Sequence, residues 1–328
     1  MVAPVSAFEP KQIDQTEGKP SDESSRPGAD EYIYLMGRPT LRLYLHFMKH
    51  QAVNDGLFDP GAAADEWRAA HDHIRTLQKE EAGLADFPPI GKLDSRLEPL
   101  RDELLKDPLI VNGFNTVPTN FALVELDRLV VYQKHIDLTY VRHLKERLGP
   151  APSEEEIFRV CLPVGPHGPP TKWSRAHQNT YVFVSPSNDL RFLGVMPLQP
   201  RHIADYPPPG TLAGVIGLAV GFGSNFLNAI YAENRLILNN GSHRAFALRE
   251  LGVTHAPCIV QLVTSRDELD AVGSARVREN PDQYLRHPRP SMLKDYFNPK
   301  LHKVLPVHRR LRQVTVKFEV NEVYVPAL

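Results

Sequence analysis

Cysteine is nearly missing from this chain: among 328 residues only Cys161 and Cys258 occur. Two thiols cannot make a disulfide framework or a cysteine-based zinc site, so a reducing, cytoplasmic setting is expected. Net charge is missing as well, since 38 Lys and Arg face 39 Asp and Glu. No global field therefore draws the protein to nucleic acid or to a membrane. A membrane-spanning run is also lacking. Residues 206–232 carry no charge, yet they include Pro207, Pro208 and Pro209 and are broken by Gly214, Gly217, Gly221 and Gly223. Their apolar part, about 212–222, falls short of the ~20 residues a spanning helix needs. Buried strands or a buried helix are expected there, and no membrane partner. The first residues show no basic stretch followed by an apolar one, which argues against a signal peptide.

Established metal and phosphate signatures are absent too. His46 and His50 stand at i, i+4 without the Glu of HExxH, and His71 and His73 are two apart, so neither pair is expected to hold a metal. Residues 221–225 (GFGSN) are glycine-rich, but no Gly-Lys-Ser/Thr follows and the GxGxxG spacing is not met. Strand breaks explain these glycines equally well.

What is present suits a globular protein. With 42% hydrophobic and 23% charged residues the chain can form one large or two medium domains. Residues 1–31, rich in Pro, Ser, Asp and Glu, bury too little to fold and are expected to be disordered. Residues 32–118 read as a helical region. Leu41, Tyr44, Leu45 and Met48 repeat at helical spacing after Pro39. Ala63, Trp67, Ala70, Ile74 and Leu77 do so after Asp59-Pro60. Leu93, Leu97, Leu100 and Leu104 indicate a third helix that Pro99 delays or kinks, and 109–120 reads as loop.

Residues 119–265 follow as a mixed unit with an insertion at about 150–210. Within it 121–125 and 129–132 read as short strands in a hairpin or bent strand, and Asp137 and Ser153 as helix caps. A Pro/Gly-rich loop is expected at 163–179 and a strand pair at 181–185 and 190–196. Residues 205–210 read as a rigid connection, and 226–231 with 235–238 as a hairpin whose tip carries Glu233. Residues 266–328 form a C-terminal extension that begins with a helix capped by Ser265. From 274 to 312 it holds ten Lys and Arg against three Asp and Glu, a surplus that would suit nucleic acid phosphates. It ends in an alternating segment, 313–325, that reads as a final strand docked into a sheet.

The chain is organised around residues 235–263 (RLILNNGSHRAFALRELGVTHAPCIVQLV), which read as strand, tight turn, helix, loop, strand. Asn240 or Ser242 is of the N-cap type, Ala245, Leu248 and Leu251 give one apolar stripe, and Gly252 sits just past the helix. The first turn is unusual. Gly241, Ser242, His243 and Arg244 place a permissive backbone, a hydroxyl, an imidazole and a guanidinium around N–H groups that lack helical partners. Such a helix start favours anions. Glycine admits close approach, and arginine can hold a phosphate with two parallel hydrogen bonds. With Asn240 these residues point to a phosphate or carboxylate; a surface helix start needing a glycine and a cap would show the same residues.

Gly241-Ser242-His243-Arg244, then Ala245 and Ala247, Glu250-Leu251-Gly252, and Pro257 before Ile259-Val260, together resemble the phosphate-binding segment of the ParB/sulfiredoxin superfamily. Residues 122–133 (ALVELDRLVVYQ) and the helix after Asp137 resemble its opening strands and first helix, so the resemblance covers roughly 121–265. It implies an α/β fold of the α+β type, with a mixed sheet preceded here by the helical region. It also implies a nucleotide, ATP or CTP, with Mg²⁺, and an unknown small-molecule acceptor. Gly241 and the N–H groups of Ser242 and His243 would hold phosphate. Arg244 would offset charge developing in phosphoryl transfer, and His243 would hydrogen-bond a phosphate oxygen. A carboxylate would place Mg²⁺ or activate the acceptor; Glu125, Asp127, Asp137 and Glu233 are the candidates.

Departures from the superfamily narrow the expectation. Ser242 stands where sulfiredoxins carry their reactive cysteine, so sulfinic-acid reduction is not expected. ParB proteins usually have Glu there and a second Arg where His243 stands. The His-Arg pair is closer to sulfiredoxins and free-serine kinases, which favours ATP over CTP and phosphotransfer or nucleotide hydrolysis as the reaction. Two other readings stay open. One is a ParB-like, DNA-associated regulatory protein using 274–312, although no clear helix-turn-helix follows the central segment. The other is a non-catalytic ligand-binding domain.

Overall fold

The computed structural model describes residues 28–54, 56–165, 168–199 and 210–326. In chain order its strands are β1 (Ala29–Leu35), β2 (Ile90–Gly91), β3 (Thr119–Glu125), β4 (His135–Asp137), β5 (Lys172–His177), β6 (Thr180–Ser185), β7 (Arg191–Leu198), β8 (Val215–Gly221), β9 (Asn228–Ala232), β10 (Arg235–Asn240), β11 (His255–Leu262), β12 (His302–His308) and β13 (Arg312–Lys317). Its helices are α1 (Leu41–His50), α2 (Pro60–Glu80), α3 (Glu98–Leu104), α4 (Pro108–Gly113), α5 (Leu138–Leu148), α6 (Glu154–Cys161), α7 (Ser242–Glu250), α8 (Arg266–Val272), α9 (Ala275–Glu279) and α10 (Pro281–Leu285), with 3₁₀ turns at Ser95–Leu97 and Leu293–Phe297.

The expected mix of helices and strands is present, and a mixed sheet lies at its centre. Its order is β10-β9-β11-β3-β2, with β11 parallel to β9 and antiparallel to β3. Ala229, Ile230, Leu236, Ile237, Leu238, Cys258, Ile259 and Val260 are all buried. Runs of that kind fit strands covered on both faces. Ala229, Leu236 and Leu238 pack with Val141 and Leu144 of α5, Phe158 of α6 and Phe246 of α7. Ile230 and Ile237 pack with Leu269 of α8, Val277, Leu285 and Met292.

A second sheet, β12-β1-β4, joins the two ends of the described chain: Ala29 pairs with His308 and Leu35 with His302. Tyr34, Leu305 and Val307 bury against Tyr44 and Phe47 of α1. Two expectations are corrected here. Residues 29–31 belong to a strand, while 1–27 of the expected disordered tail lie outside the described residues. Residues 32–118 contain β1 and β2 as well as helices, and 109–113 are helical. As expected, Asp137, Ser153 and Ser265 cap α5, α6 and α8, and Asp59 caps α2. Thr40 caps α1, which leaves Pro39 outside the helix.

The C-terminal segment is built into the body and is not an appendage. Arg289 is 1% exposed, gripped by Asp295 and by Glu81 at the end of α2. Arg286 meets Glu233, Lys294 meets Glu81, Lys303 meets Glu66 and Arg309 meets Asp30. Half of the ten cations in 274–312 are thus paired with carboxylates distant in sequence.

Pairings in the insertion also differ from expectation. The strands at 181–185 and 190–196 do not pair with each other. β6 lies between β5 and β13, and β7 pairs with β8. The loop at 163–179 contains β5, and 205–209 of the expected rigid connection lie outside the described residues. Residues 129–132 form no hairpin with β3; Val130 bridges Ile237 in parallel and extends the β10 edge. The 313–325 segment docks by β13 against β6. Among the described residues no helix is long and apolar enough to cross a membrane.

Candidate functional site

The strand–turn–helix corner forms where the sequence places it. A bulge between Leu238 and Asn240 ends the β10 pairing. Gly241 then adopts φ +97° and precedes α7. A Cβ at 241 would lie 2.5 Å from Leu227 Cδ1 and 3.2 Å from Leu227 Cα. Handedness and space both require glycine here. Asn240 and Ser242 do not cap the helix. Asn240 Oδ1 accepts from Gly241 N at 2.8 Å, and its Nδ2 donates to Ser224 O at 2.8 Å. Asn240 thus fastens the turn to the 221–225 loop, and Ser242 is the first helical residue. α7 has no capping side chain. Its first internal bond runs from Ala245 N to Gly241 O, so the N–H groups of Ser242, His243 and Arg244 have no helical acceptor. The expected single apolar stripe is wider: Ala245, Phe246, Ala247 and Leu248 are all buried.

Arg244 takes a different role from the one expected. It is 5% exposed, and Nη1 donates to Val160 O and Cys161 O at 3.2 Å each and to Asn225 O. Val160 and Cys161 are the last residues of α6, whose carbonyls lack helical donors. Arg244 therefore ties three parts of the chain together, and that hydrogen-bonding nitrogen is committed to backbone. Burial lowers its pKa.

His243 is half-buried, edge-on to Tyr140 with ring centroids 5.6 Å apart. Burial, then His135 and Arg244, push its imidazole down to about 4, so it is neutral near pH 7. His135 stacks on Tyr32 at 5.0 Å and is itself pushed down to about 4, by burial, Arg276 and Lys134. Lys134 is lowered by burial and by Arg276. Arg276 donates to Tyr132 O at 3.3 Å, and Tyr132 Oη donates to Asn239 O at 2.6 Å, one residue before Asn240. Arg276 and Arg191 both act on the Tyr132 hydroxyl. Lys134, Arg191 and Arg276 thus stand around the corner, and no sequence motif singles out any of them. Their one local signal is Lys134-His135, just ahead of the Asp137 cap.

The candidate carboxylates do not converge. Glu233 is at the opposite end of the β9–β10 hairpin, about 17 Å away by strand rise, and faces Arg286 at 3.0 Å. Asp127 binds Arg249 at 2.7 Å, at the far end of α7, roughly 13 Å along the helix from Gly241. Glu125, at the end of β3, lies 3.9 Å from Arg128. These three are removed from the corner because they sit at the other ends of the elements that define it. Asp137 is the exception, since its helix α5 packs on α7 through Tyr140 and His243. Its Oδ1 accepts from Tyr140 N at 3.0 Å, and burial raises its pKa. An unforeseen carboxylate, Asp189, accepts from Gly223 N at 2.8 Å and pairs with Arg191, bracing the loop that carries Ser224 and Asn225.

Among the described residues no three His, Cys, Asp or Glu side chains converge to hold a metal ion. Cys161 and Cys258 are buried, and burial pushes Cys161 up to about 12 and Cys258 well above the usual range. Neither is a thiolate nucleophile. An open cleft of about 440 Å³, lined by Arg75, Gln78, Lys79, His287 and Pro288, lies near the other end of β10, where Arg235 bonds His287 O. Comparison of the chain with known protein families, curated proteins and solved structures finds no match.

Proposed function

We propose that the β10–α7 corner binds the phosphate group of a nucleotide. One observation carries this reading. An uncapped helix start, opened by a glycine at φ +97° with Leu227 close against it, is flanked by groups whose charged neighbours are cations and imidazoles, with no carboxylate among those acting on Lys134, His135 or His243. Unpartnered N–H groups and a positive surround favour an anion. The resemblance of 241–252 to the ParB/sulfiredoxin phosphate segment supports the same reading and favours ATP over CTP.

Binding is better supported than chemistry. Arg244 is engaged with backbone, Glu125, Asp127 and Glu233 face elsewhere, and Asp137 serves α5. Phosphotransfer or hydrolysis is the second reading, resting on the place of His243 in the first turn of α7, where its neutral imidazole could hydrogen-bond a phosphate oxygen or an acceptor; held down to about 4, it is a weak base. Mg²⁺, bound with the nucleotide, would neutralise phosphate charge.

The test is calorimetric and thermal-shift titration with ATP, CTP, GTP and ADP, each with and without Mg²⁺. The proteins are wild type and the Lys134→Ala/Arg276→Ala double variant. One triphosphate should stabilise wild type by about 2.7 kcal/mol at a hundredfold excess over Kd. The double variant should bind at least about tenfold more weakly, the effect of losing ~1.4 kcal/mol. Absence of any nucleotide effect on folded wild type refutes the proposal. Turnover that His243→Ala abolishes while binding persists would establish the second reading.

A further inference from the structure

We propose that one face of the β5–β6–β13 sheet binds single-stranded nucleic acid by base stacking. The site is separate from the nucleotide corner and does not rest on it. β6 is the central strand, with Trp173 and Arg175 of β5 opposite Phe183 and Tyr181, and Val314 and Val316 of β13 opposite the same two residues. Side chains alternate between the faces of a strand, so Trp173, Arg175, Tyr181, Phe183, Val314 and Val316 share one face. The rings form a continuous row. Trp173 stacks on Phe183 at 6.2 Å and lies 6.4 Å from Tyr181, and Tyr181 stacks on Phe318 at 6.4 Å.

This row is not a core. Trp173 is 62% exposed and Phe318 41%, and every residue of β5 is exposed. Large aromatic rings left open side by side mark a binding surface. Charge decides the partner's class. By the same alternation Arg175 and Arg312 share the aromatic face, Lys172 and Lys317 lie on the other, and the three strands carry not one Asp or Glu, although the whole chain is close to neutral. Arg175, opposite Tyr181 in register, has its guanidinium fixed by Gln178 O, at 3.0 Å from Nε and 2.6 Å from Nη2. Guanidinium planes and aromatic rings both stack on bases, while exposed cations follow the backbone phosphates. An apolar protein partner would need no cationic border, and a duplex keeps its base faces inside its own stack.

The test uses the full chain with Trp67→Phe, so that Trp173 is the sole fluorophore of the two tryptophans. Short oligo(dT) and oligo(U) are titrated against a duplex of equal length, following Trp173 quenching and the anisotropy of a labelled strand. Both single strands should quench Trp173, and the duplex should not. In the anisotropy assay Trp173→Ala should weaken single-strand binding by about 5- to 150-fold, the range for one base–aromatic stack, while its melting temperature holds because the ring is largely exposed. The Arg312→Gln variant, on the aromatic face, should also bind more weakly. Its salt slope, taken from ~50 to ~200 mM salt, should fall by about 0.7, for one lost phosphate contact. Three results would overturn the proposal: no quenching or anisotropy change at low salt; equal affinity for duplex and single strands that Trp173→Ala leaves untouched; or Trp173-dependent binding to phosphatidylserine vesicles without binding to either oligonucleotide, which would make the partner a lipid surface.

Discussion

Arg244→Ala should behave as a folding variant before it behaves as a binding variant. The guanidinium is 5% exposed, and its Nη1 serves Val160 O, Cys161 O and Asn225 O. Truncation leaves Val160 O and Asn225 O without that donor, while Cys161 O keeps Leu227 N at 2.7 Å, and opens a hole where the side chain lay. A buried polar group left unpaired costs about 1–3 kcal/mol. Relaxation and water will offset part of the sum, so the expected loss is about 3–5 kcal/mol, a large share of the ~5–15 kcal/mol that holds a typical fold. For a chain of this length each kcal/mol moves the melting temperature by roughly 1–2 °C, which gives a drop of about 3–10 °C. Arg244→Lys keeps the charge but offers a point donor on a flexible stem, so it should recover only part of the loss. Differential scanning calorimetry of wild type, R244A and R244K checks the series. A melting temperature within about 1 °C of wild type, together with abolished nucleotide binding, would refute this account and return Arg244 to the phosphate.

Three further outcomes follow from the same geometry. Gly241→Ala and Gly252→Ala both force alanine into the left-handed region, at φ +97° and +84°, but only the first meets neighbours, since nothing lies within 4 Å of a Cβ at 252. Gly252→Ala should cost about 1 kcal/mol and Gly241→Ala an additional ~1–3 kcal/mol for overpacking against Leu227, measured by urea unfolding; equal losses would remove the close-approach argument. Acid should destabilise the corner. His135 and His243 are held down to about 4 against about 6.5 when unfolded, so below that value the unfolded chain takes up protons that the folded one refuses. Stability from this source is complete above pH 6.5 and is lost towards pH 4, at up to ~1.4 kcal/mol per pH unit for each imidazole. His243→Gln should therefore flatten the stability–pH curve between those limits, and an unchanged slope would count against a neutral His243. Asp189→Asn keeps an acceptor for Gly223 N but loses the charge facing Arg191. The half-exposed pair should cost below about 1 kcal/mol of stability, while phosphate affinity at the corner rises because a negative charge has gone; titration with ADP reads the difference.

Local chemistry made much of the fold legible. Asp59, Asp137, Ser153 and Ser265 cap helices because a short side-chain oxygen ahead of an apolar repeat has one good use. The β9–β10 hairpin and the strand–helix–strand of 235–262 were legible for the same reason. Pairing across distance was not. A turn signal between 185 and 190 marks a reversal of direction, not which strand lies alongside, and here each arm took a different partner. The basic 274–312 segment read as a free cationic stretch because its neutralising carboxylates, Asp30, Glu66, Glu81 and Glu233, lie far away in sequence.

The corner shows both sides of this limit. Gly241 announced itself, since a glycine wedged between a strand and a helix usually marks a backbone that no side chain could follow. Arg244 misled because its three acceptors lie 19, 83 and 84 residues away, invisible to any local motif. Glu233 is different, since its exclusion was available from element lengths alone. If 235–238 is a strand starting at the hairpin tip and Gly241 ends it, the two residues lie at opposite ends of the strand, well beyond the reach of one side chain. Asp127 could not be excluded that way, because its place at the far end of α7 depends on Arg249 reaching across to the β3 loop. Element lengths can thus remove candidate residues from a site that a motif locates, but adding Lys134, Arg191 and Arg276 required the tertiary fold.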